Sequence, residues 1–409
     1  MHSIHRNSAA GSATNRWRRT ATLATVISAV AIGLAACSSS STASTTTTGA
    51  SKTLLIGSNA IESGPAATSF DITQGFEAYL NYANSLGGVN GYKFQSTVQD
   101  NAYSATQAVE AQSKLEADNP FAVSVIGTVP VAAVVPVAKS QGHTTPLYVA
   151  ADGAQVDSLT SSTTQVWGVV PSYPRLAAFD ASFILKSLKT SSFAVAYEDD
   201  SLAQGADASL TSYVPANGGK LLANVAVAAT TTNYVPVATQ LQASGAKSVL
   251  VWSNTPVFAS IQKAAAQIGY HPQWVTPFFS LSSGYLSLAG SSAEGTYVDG
   301  FLPPTTADTA AMHTYVTWIS KISPTAVNGG TQGWQLAAAL VAGIKGATQG
   351  GGALNSSRLS AAMKKIDGTV ALGTLNYTSG QHWGSTQAAM YQVQKGKFVQ
   401  VQGFGPLPS

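Results

Sequence analysis

Short apolar runs and amphipathic stretches alternate along most of the chain. The run Thr53–Gly57 is apolar and ends in glycine, which is typical of a strand covered on both faces. After a Gly64-Pro65 turn, apolar residues recur at helical spacing over Ile72–Ala83, and Ser69 stands in an N-cap position. The pattern therefore predicts a strand followed by a helix.

The residues after this helix complete a first βαβ unit. Gly87-Gly88 predicts a left-handed helix stop, and apolar residues alternate with polar ones over Tyr92–Val98 as in a strand. In an open parallel sheet, ligands bind at the loops that leave the carboxyl ends of the strands. The segment Ser58–Ser69 is therefore the first candidate ligand loop.

The same rhythm of strands and helices runs twice, over residues 53–170 and over residues 171–300. It predicts an α/β protein with two doubly wound Rossmann-like lobes. The further predicted helices are Ala105–Ala117, Val129–Ser140, Leu176–Leu188, Ala206–Val214, Tyr234–Ala243 and Val257–Ile268. The further predicted strands are Phe121–Ile126, Pro146–Ala150, Val166–Val170, Phe193–Tyr197, Leu221–Ala228, Ser248–Trp252 and Trp274–Phe279.

The pattern of the first 52 residues predicts a targeting segment and a tether, not a part of the folded domain. Arg-rich residues 1–19 precede the apolar stretch Thr20–Ala36, which is the pattern of a signal peptide over residues 1–36. Leu34-Ala35-Ala36-Cys37 resembles the lipobox of bacterial lipoproteins, in which Cys37 is lipidated, and residues 37–52 form a tether rich in Ser and Thr. An ordinary signal peptide, a short membrane anchor and a twin-arginine signal at Arg18-Arg19 are the alternatives.

Composition and charge exclude several classes of protein. Hydrophobic residues make up 45% of the chain and charged residues 10%, so the chain is globular rather than disordered. Four of the 21 basic residues lie in residues 1–36 and all 18 acidic residues lie after them, which leaves 17 basic against 18 acidic residues. Because no basic patch remains, nucleic acid is not an expected partner.

One long succession of residues resembles a known family. The segment GPAATSFDITQGFEAYLNYANSLGGVNGYKFQ, from Gly64, resembles the opening of the leucine/isoleucine/valine-binding proteins, which are type I periplasmic solute-binding proteins of ABC transporters. The resemblance continues in YEDDSLAQGADASL and in LAGSSAEGTYVDGFLPP, and it covers about Thr53–Val401.

The resemblance implies how the two lobes share the chain. Residues 53–170 and 301–384 would form lobe I, and residues 171–300 and 385–409 would form lobe II. Three crossings, near Val169–Ser172, Gly300–Pro303 and Gly384–Gln387, would form the hinge. The late part would supply helices Ala307–Ile322, Gln332–Ala347 and Ser357–Ile366 and one final strand, Ala388–Val401.

Residues suited to catalysis or to metal binding do not assemble in the sequence. The six histidines are scattered, and none pairs with another across an acid at helical spacing, so no metal is expected. Cys37 is the only cysteine, and Gln349–Gly352 lacks the Lys of a phosphate loop. The acidic trio Glu198–Asp200 reads as a solvated loop. We therefore expect neither an enzyme nor a cofactor.

The candidate ligand residues lie in the loops at the carboxyl ends of the predicted strands. Each residue type also suits plain packing, and their common position at one cleft favours binding. The candidates are Ser69, Phe70, Thr128, Val129, Asp152, Gly153, Ala154, Leu202, Thr255 and Phe278, with Trp334 at the place of a tyrosine common in the family.

Both anchors that the resembling amino-acid-binding proteins use are missing here. The serine-rich loop that holds the ligand carboxylate is replaced by Thr128–Ala132, and the second-lobe acid that holds the ammonium falls at Phe278. We therefore expect a ligand other than a free α-amino acid, such as an aromatic or aliphatic acid or amide. Asp152 is the residue that could replace the missing acid, in which case an amino acid would bind.

The function expected is that of an extracytoplasmic, lipid-anchored solute-binding protein. The lobes would close over a small organic solute, and the monomeric protein would deliver it to the permease of a branched-chain amino-acid-type ABC transporter. Two alternatives stay open: an amino-acid-binding member with a shifted anchor, and a ligand sensor that signals to a membrane receptor.

Overall fold

The first sheet is entirely parallel and is built from the strands before residue 170. A computed structural model describes residues 51–64, 66–154, 165–228 and 230–408. The sheet order is β2-β1-β3-β4-β5, which is a doubly wound order with its switch point between β1 and β3. Its strands are β1 (Lys52–Ala60), β2 (Tyr92–Asp100), β3 (Ala122–Ile126), β4 (Leu147–Ala150) and β5 (Val166–Gly168).

Helices cover both faces of this sheet, and this explains the unbroken apolar strands. Every residue of β3 and of β4 is buried, as expected for central parallel strands. Apolar residues of α1 pack on one face, and those of α2 and α3 pack on the other. These helices are α1 (Phe70–Ser85), α2 (Ala105–Ala117) and α3 (Thr128–Ser140).

A second sheet repeats the arrangement. Its parallel part has the order β7-β6-β8-β9-β10, so the second switch point lies between β6 and β8. The elements are α4 (Tyr173–Lys186), β6 (Ser192–Glu198), α5 (Gln204–Ala216), β7 (Lys220–Val227), α6 (Val235–Ala243), β8 (Ser248–Trp252), α7 (Thr255–Gln267), β9 (Gln273–Thr276), α8 (Ser283–Ala289) and β10 (Tyr297–Gly300).

The residues after 300 return to the first sheet and then to the second. Buried residues of α9 (Ala310–Ile322) and α10 (Thr331–Thr348) join the core that includes α1. Then come α11 (Ser356–Met363) and a hairpin of β11 (Asp367–Val370) and β12 (Gly373–Asn376). Finally β13 (Gln387–Gln394) pairs antiparallel with β10, and β14 (Lys397–Pro406) pairs antiparallel with β13.

The predicted fold class is confirmed: two doubly wound α/β lobes, one on each sheet, are joined by three connections. These connections run from β5 to α4, from β10 to α9 and from β12 to β13. Beside the last connection, Trp383 adds a parallel bridge to Gly168, and Tyr377 donates from its hydroxyl to the Gly168 carbonyl over 2.9 Å. Among the described residues no helix is both long and apolar enough to cross a membrane.

Several local predictions are wrong for identifiable reasons. The strand β1 does not end at Gly57 but continues to Ala60. Gly57 allows close packing and does not mark a turn, since a Cβ there would lie 3.1 Å from the Val123 side chain. Ser69 ends a short 3-10 turn, and its hydroxyl makes no capping hydrogen bond. The predicted strand Trp274–Phe279 stops at Thr276, and the predicted single final strand is the β13–β14 hairpin.

Candidate functional site

The loop after β4 contacts the first residue of α4, which brings the two lobes together. The Tyr173 amide donates to the Gly153 carbonyl oxygen over 2.9 Å. A Cβ at Gly153 would overlap the Tyr173 ring, so only glycine allows this approach. Beside it, the buried Asp152 side chain accepts from the Ala154 amide over 3.0 Å. The predicted residues Asp152, Gly153 and Ala154 therefore form the first-lobe side of the contact.

Aromatic side chains of the second lobe gather around Tyr173. Its ring centre lies 5.5 Å from Trp252 at the end of β8 and 5.5 Å from Phe279 after β9. Phe278 lies 4.3 Å from Phe279 and 4.9 Å from Phe301, also between ring centres. Such edge and tilted contacts fix the ring orientations. Phe278 is thus part of an aromatic wall.

The loops after β6 and β8 are joined by carboxylate hydrogen bonds. The two Glu198 oxygens accept from the Asn254 amide at 3.0 Å and from the Asn254 side chain at 2.8 Å. Asp200 accepts from the Leu202 amide over 3.0 Å, and the Thr255 hydroxyl donates to the Phe279 carbonyl over 2.6 Å. Leu202 and Thr255 therefore lie in the loops that follow β6 and β8, the two strands at the second switch point.

The solvated-loop interpretation of the acidic trio is wrong for Glu198, which is buried, and holds only in part for Asp200, which is half-buried. Glu198 is buried, and both of its carboxylate oxygens accept hydrogen bonds from Asn254. Burial raises the pKa of Glu198, with the Asn254 amide lowering it and the Asp200 charge raising it. Burial also raises the pKa of Asp200, against the effect of the Leu202 amide. Only Asp199 is exposed.

Two tyrosine hydroxyls share the field of carboxylates from both lobes. Tyr103 follows β2, and burial raises its pKa to about 12, with further raising by Asp200, Asp152 and Glu198. Burial raises the pKa of Tyr173 well above its usual value, and Asp152, Tyr103 and Asp200 add to this effect. Carboxylates of both lobes therefore add to the raised pKa of both tyrosines.

A pair of buried aspartates supports the aromatic wall from behind. The Trp252 indole donates to Asp180 over 3.2 Å, and the Phe278 amide donates to Asp299 over 3.0 Å. The two carboxyl groups interact with each other, and both are fully buried. Burial raises the pKa of Asp299 to about 7 and that of Asp180 well above its usual value, so the pair holds a proton.

The remaining first-lobe candidates lie at the carboxyl ends of β1 and β3. Thr128 is buried at the start of α3, and its hydroxyl donates to the Ala151 carbonyl over 3.3 Å. The Val129 amide faces the Tyr103 hydroxyl and lowers its pKa. Ser69 and Phe70 are half-buried at the start of α1. Thr128 and Val129 therefore border the acidic and aromatic group, and Ser69 and Phe70 lie at the same edge of the sheet.

Trp334 lies in the first turn of α10, but its side chain does not point to the loops at the strand ends. Its ring is buried among aromatic rings of α1 and α9, with Tyr79 at 4.9 Å, Tyr315 at 5.4 Å and Tyr82 at 5.6 Å between centres. The ring thus packs helix against helix and does not face the loop after β4. Gln332 is the α10 residue that reaches this loop, since its side chain accepts from the Ala151 amide over 3.2 Å.

Sequence reasoning missed the two tyrosines. Tyr103 has a positive φ of 56°, and its amide donates to Asn101 over 2.8 Å, so the Asn101 turn that follows β2 was the available signal. Tyr173 lies between Pro171 and Pro174 at the first crossing between the lobes. An aromatic residue at a hinge crossing could have been selected on this ground.

The site shows no metal centre within the described part of the chain. No group of three or more His, Cys, Asp and Glu side chains there has the arrangement to hold a metal ion. The acidic side chains accept hydrogen bonds from amides instead. The described residues where the lobes meet therefore combine aromatic side chains with hydrogen-bonded carboxylates.

The sequence matches one known protein family over most of its length. The sequence matches the family described as periplasmic binding protein over residues 53–397. The chain belongs to the periplasmic binding protein family. Its similar structures are of type I in that family, and no curated protein matches the sequence.

Solved structures similar to this periplasmic binding protein share its fold at low identity. A branched-chain amino acid ABC transporter protein from Thermus thermophilus with bound valine has a TM-score of 0.77 at 16% identity, covering 87% of this chain and 96% of its own. A branched-chain amino acid transporter binding protein from Streptococcus pneumoniae in complex with isoleucine has a TM-score of 0.73 at 19% identity. The match covers 87% of this chain and 100% of that protein. A fatty acid ABC transporter substrate-binding protein from Thermomonospora curvata has a TM-score of 0.73 at 18% identity. The match covers 87% of this chain and 92% of that protein.

Proposed function

We propose that this periplasmic binding protein is an extracytoplasmic lipoprotein that captures a small organic solute and delivers it to an ABC permease. The observation that carries the proposal is the contact of Gly153 with Tyr173, around which side chains of both lobes converge. A solute held there touches both lobes. It stabilises the closed state in proportion to its differential affinity for that state.

The proposal includes lobe boundaries and the residues that contact the solute. Lobe I comprises residues 53–170 and 301–384, and lobe II comprises residues 171–300 and 385–409. The proposed contacts are Ser69, Phe70, Thr128, Val129, Asp152, Gly153, Ala154, Leu202, Thr255 and Phe278, to which we add Tyr103, Tyr173 and Asp200. Trp334 leaves the set because its ring is enclosed by helices. The lipid anchor at Cys37 and residues 38–50 of the tether lie outside the described residues, and the predicted tether ends before Lys52, which is the first residue of β1.

The solute's identity is not needed for the first test. Full-length protein is extracted from its own cells in mild detergent without unfolding and is weighed by native mass spectrometry. We expect a non-covalent small-molecule adduct that is lost on unfolding and is absent after refolding. A Tyr173→Phe variant with reduced adduct would support the site. Adduct-free protein from cells grown in rich medium would contradict solute capture.

A further inference from the structure

The loop after β4 supplies a hydrogen-bond acceptor to the start of α4. The Tyr173 amide is the first N–H of α4, and the first amides of a helix have no partner within that helix. The N-cap residue Ser172 makes no side-chain capping hydrogen bond, and the Gly153 carbonyl oxygen accepts from the Tyr173 amide over 2.9 Å. The position of Gly153 in the first lobe therefore decides whether the first amide of α4 has its acceptor.

The same loop contains a residue in an unfavourable backbone conformation. Ala151, two positions before Gly153, has a φ of 52°, which lies in the left-handed region. Residues with a Cβ rarely adopt this region, because the Cβ comes too close to the following carbonyl oxygen. Such a conformation persists only where the surrounding structure holds it. The contacts of the Ala151 backbone therefore decide the shape of the loop.

Two side chains hold the backbone of Ala151, one at its amide and one at its carbonyl. The Gln332 side-chain oxygen, from the first turn of α10, accepts from the Ala151 amide over 3.2 Å. The Thr128 hydroxyl, from the first residue of α3, donates to the Ala151 carbonyl oxygen over 3.3 Å. Gln332 lies 181 residues after Ala151, so α10 fixes a loop that is remote from it in the sequence. Both polar groups of the strained residue are thus satisfied by side chains.

We propose that Gln332 is a positioning residue for solute capture. By holding Ala151 in the left-handed conformation, Gln332 places the Gly153 carbonyl oxygen against the Tyr173 amide and so links α10 to the contact between the lobes. This role requires no contact between Gln332 and the solute. The proposal rests on the proposed function, in which Asp152 and Gly153 of this loop contact the solute from the first lobe.

Hydrogen–deuterium exchange of the Tyr173 amide measures this positioning without any solute. Full-length protein is refolded to remove co-purified solute, and exchange is read by mass spectrometry with fragmentation to single amides. Gln332→Met keeps an unbranched side chain with good helix propensity but removes the acceptor for the Ala151 amide. We expect the Tyr173 amide to exchange about fivefold faster in this variant, since the net contribution of one hydrogen bond corresponds to about that factor.

Three further variants separate positioning from a general loss of stability. Gln332→Glu keeps a side-chain acceptor for the Ala151 amide and should exchange at the natural rate. Gln335→Met is the matched control, because Gln335 lies on the same helix and accepts from the Leu372 amide, in the β11–β12 hairpin, over 3.0 Å. It should leave exchange of the Tyr173 amide unchanged. In an Ala151→Gly background Gln332→Met should have little effect, because glycine adopts a positive φ without this cost.

The outcomes keep this proposal apart from the proposed function, and thermal unfolding establishes that each variant is folded. Faster exchange in Gln332→Met, together with less co-purified adduct in native mass spectrometry, supports the proposal. Unchanged exchange of the Tyr173 amide in Gln332→Met, or equal acceleration in Gln335→Met, overturns it. Faster exchange with undiminished adduct overturns the role in capture and leaves the proposed function standing. If the natural protein itself carries no adduct, the proposed function fails, while exchange still decides whether Gln332 positions the contact.

Discussion

The buried pair Asp180 and Asp299 makes the stability of the second lobe depend on pH. Burial raises the pKa of Asp299 to about 7, so the folded protein holds a proton that the unfolded chain releases. Stability is then fully present below the usual Asp pKa of about 4 and falls as pH rises towards about 7. The carboxylate of Asp299 also accepts from the Phe278 amide, so the pair links pH to the aromatic wall.

Asp299→Asn should remove one of these titrations and keep the acceptor for the Phe278 amide. Between about pH 4 and pH 7 the variant should gain about 1.4 kcal/mol of unfolding free energy per pH unit relative to the natural protein. Urea unfolding at several pH values measures this difference. Asp118→Asn, with an exposed side chain, should give a curve parallel to that of the natural protein. A difference for Asp299→Asn that does not change with pH would contradict the raised pKa of Asp299.

At the residue scale, the sequence predicted position better than orientation. The candidates Asp152, Leu202, Thr255 and Phe278 follow strands, and the end of a parallel strand fixes where a residue lies. The direction of a side chain depends on neighbours that are remote in sequence. Trp334 faces Tyr79 and Tyr82 for this reason, and no local pattern contains that information.

At the element scale, paired glycines set how closely α1 approaches α10. A Cβ at Gly333 would overlap the Ile72 carbonyl oxygen, and a Cβ at Gly75 would overlap the Gly330 carbonyl oxygen. Both glycines lie inside helices, where alanine would otherwise be preferred. The close approach of the two backbones therefore outweighs helix propensity.

Gly333→Ala should accordingly destabilise the protein by about 1–3 kcal/mol, the usual cost of overpacking. Gly205→Ala in α5 is the matched control, since its Cβ would lie an ordinary 3.6 Å from Pro174. That change should be neutral or stabilise the protein by up to about 1 kcal/mol through helix propensity. Urea unfolding of both variants provides the comparison. Equal stability of the two variants would show that α1 and α10 can separate without cost.

Helices and strands with regular apolar spacing were predicted well. Hairpin strands, which depend on pairing with a neighbouring strand, were not. Helix α2 and strand β8 have the predicted bounds, because their apolar spacing is regular and both ends are marked by polar or glycine residues. The hairpin of β11 and β12 is half-exposed and short, so it lacks an apolar signal. Lys395 and Gly396 both have positive φ and form a turn. This turn divides the predicted final strand into β13 and β14.

At the scale of the whole molecule, the proposed lipid anchor makes a prediction about location. Cys37→Ala should release the protein from membranes into the periplasm or the medium, because lipidation needs the thiol. Cell fractionation with a wash that strips peripheral proteins measures the change. Ser38→Ala is a control that leaves the thiol in place and should stay with the membrane fraction. A Cys37→Ala protein that remains in the washed membranes would contradict the lipoprotein proposal.

In the proposed mechanism, a solute closes two lobes that meet at Gly153 and Tyr173. The most direct measurement is small-angle X-ray scattering of refolded, solute-free protein before and after addition of the solute identified by mass spectrometry. Because closure brings the lobes together, the radius of gyration should fall on saturation. Gly153→Ala, whose added Cβ would overlap the Tyr173 ring, should reduce this fall. A radius of gyration that stays the same at saturation would contradict capture by hinge closure.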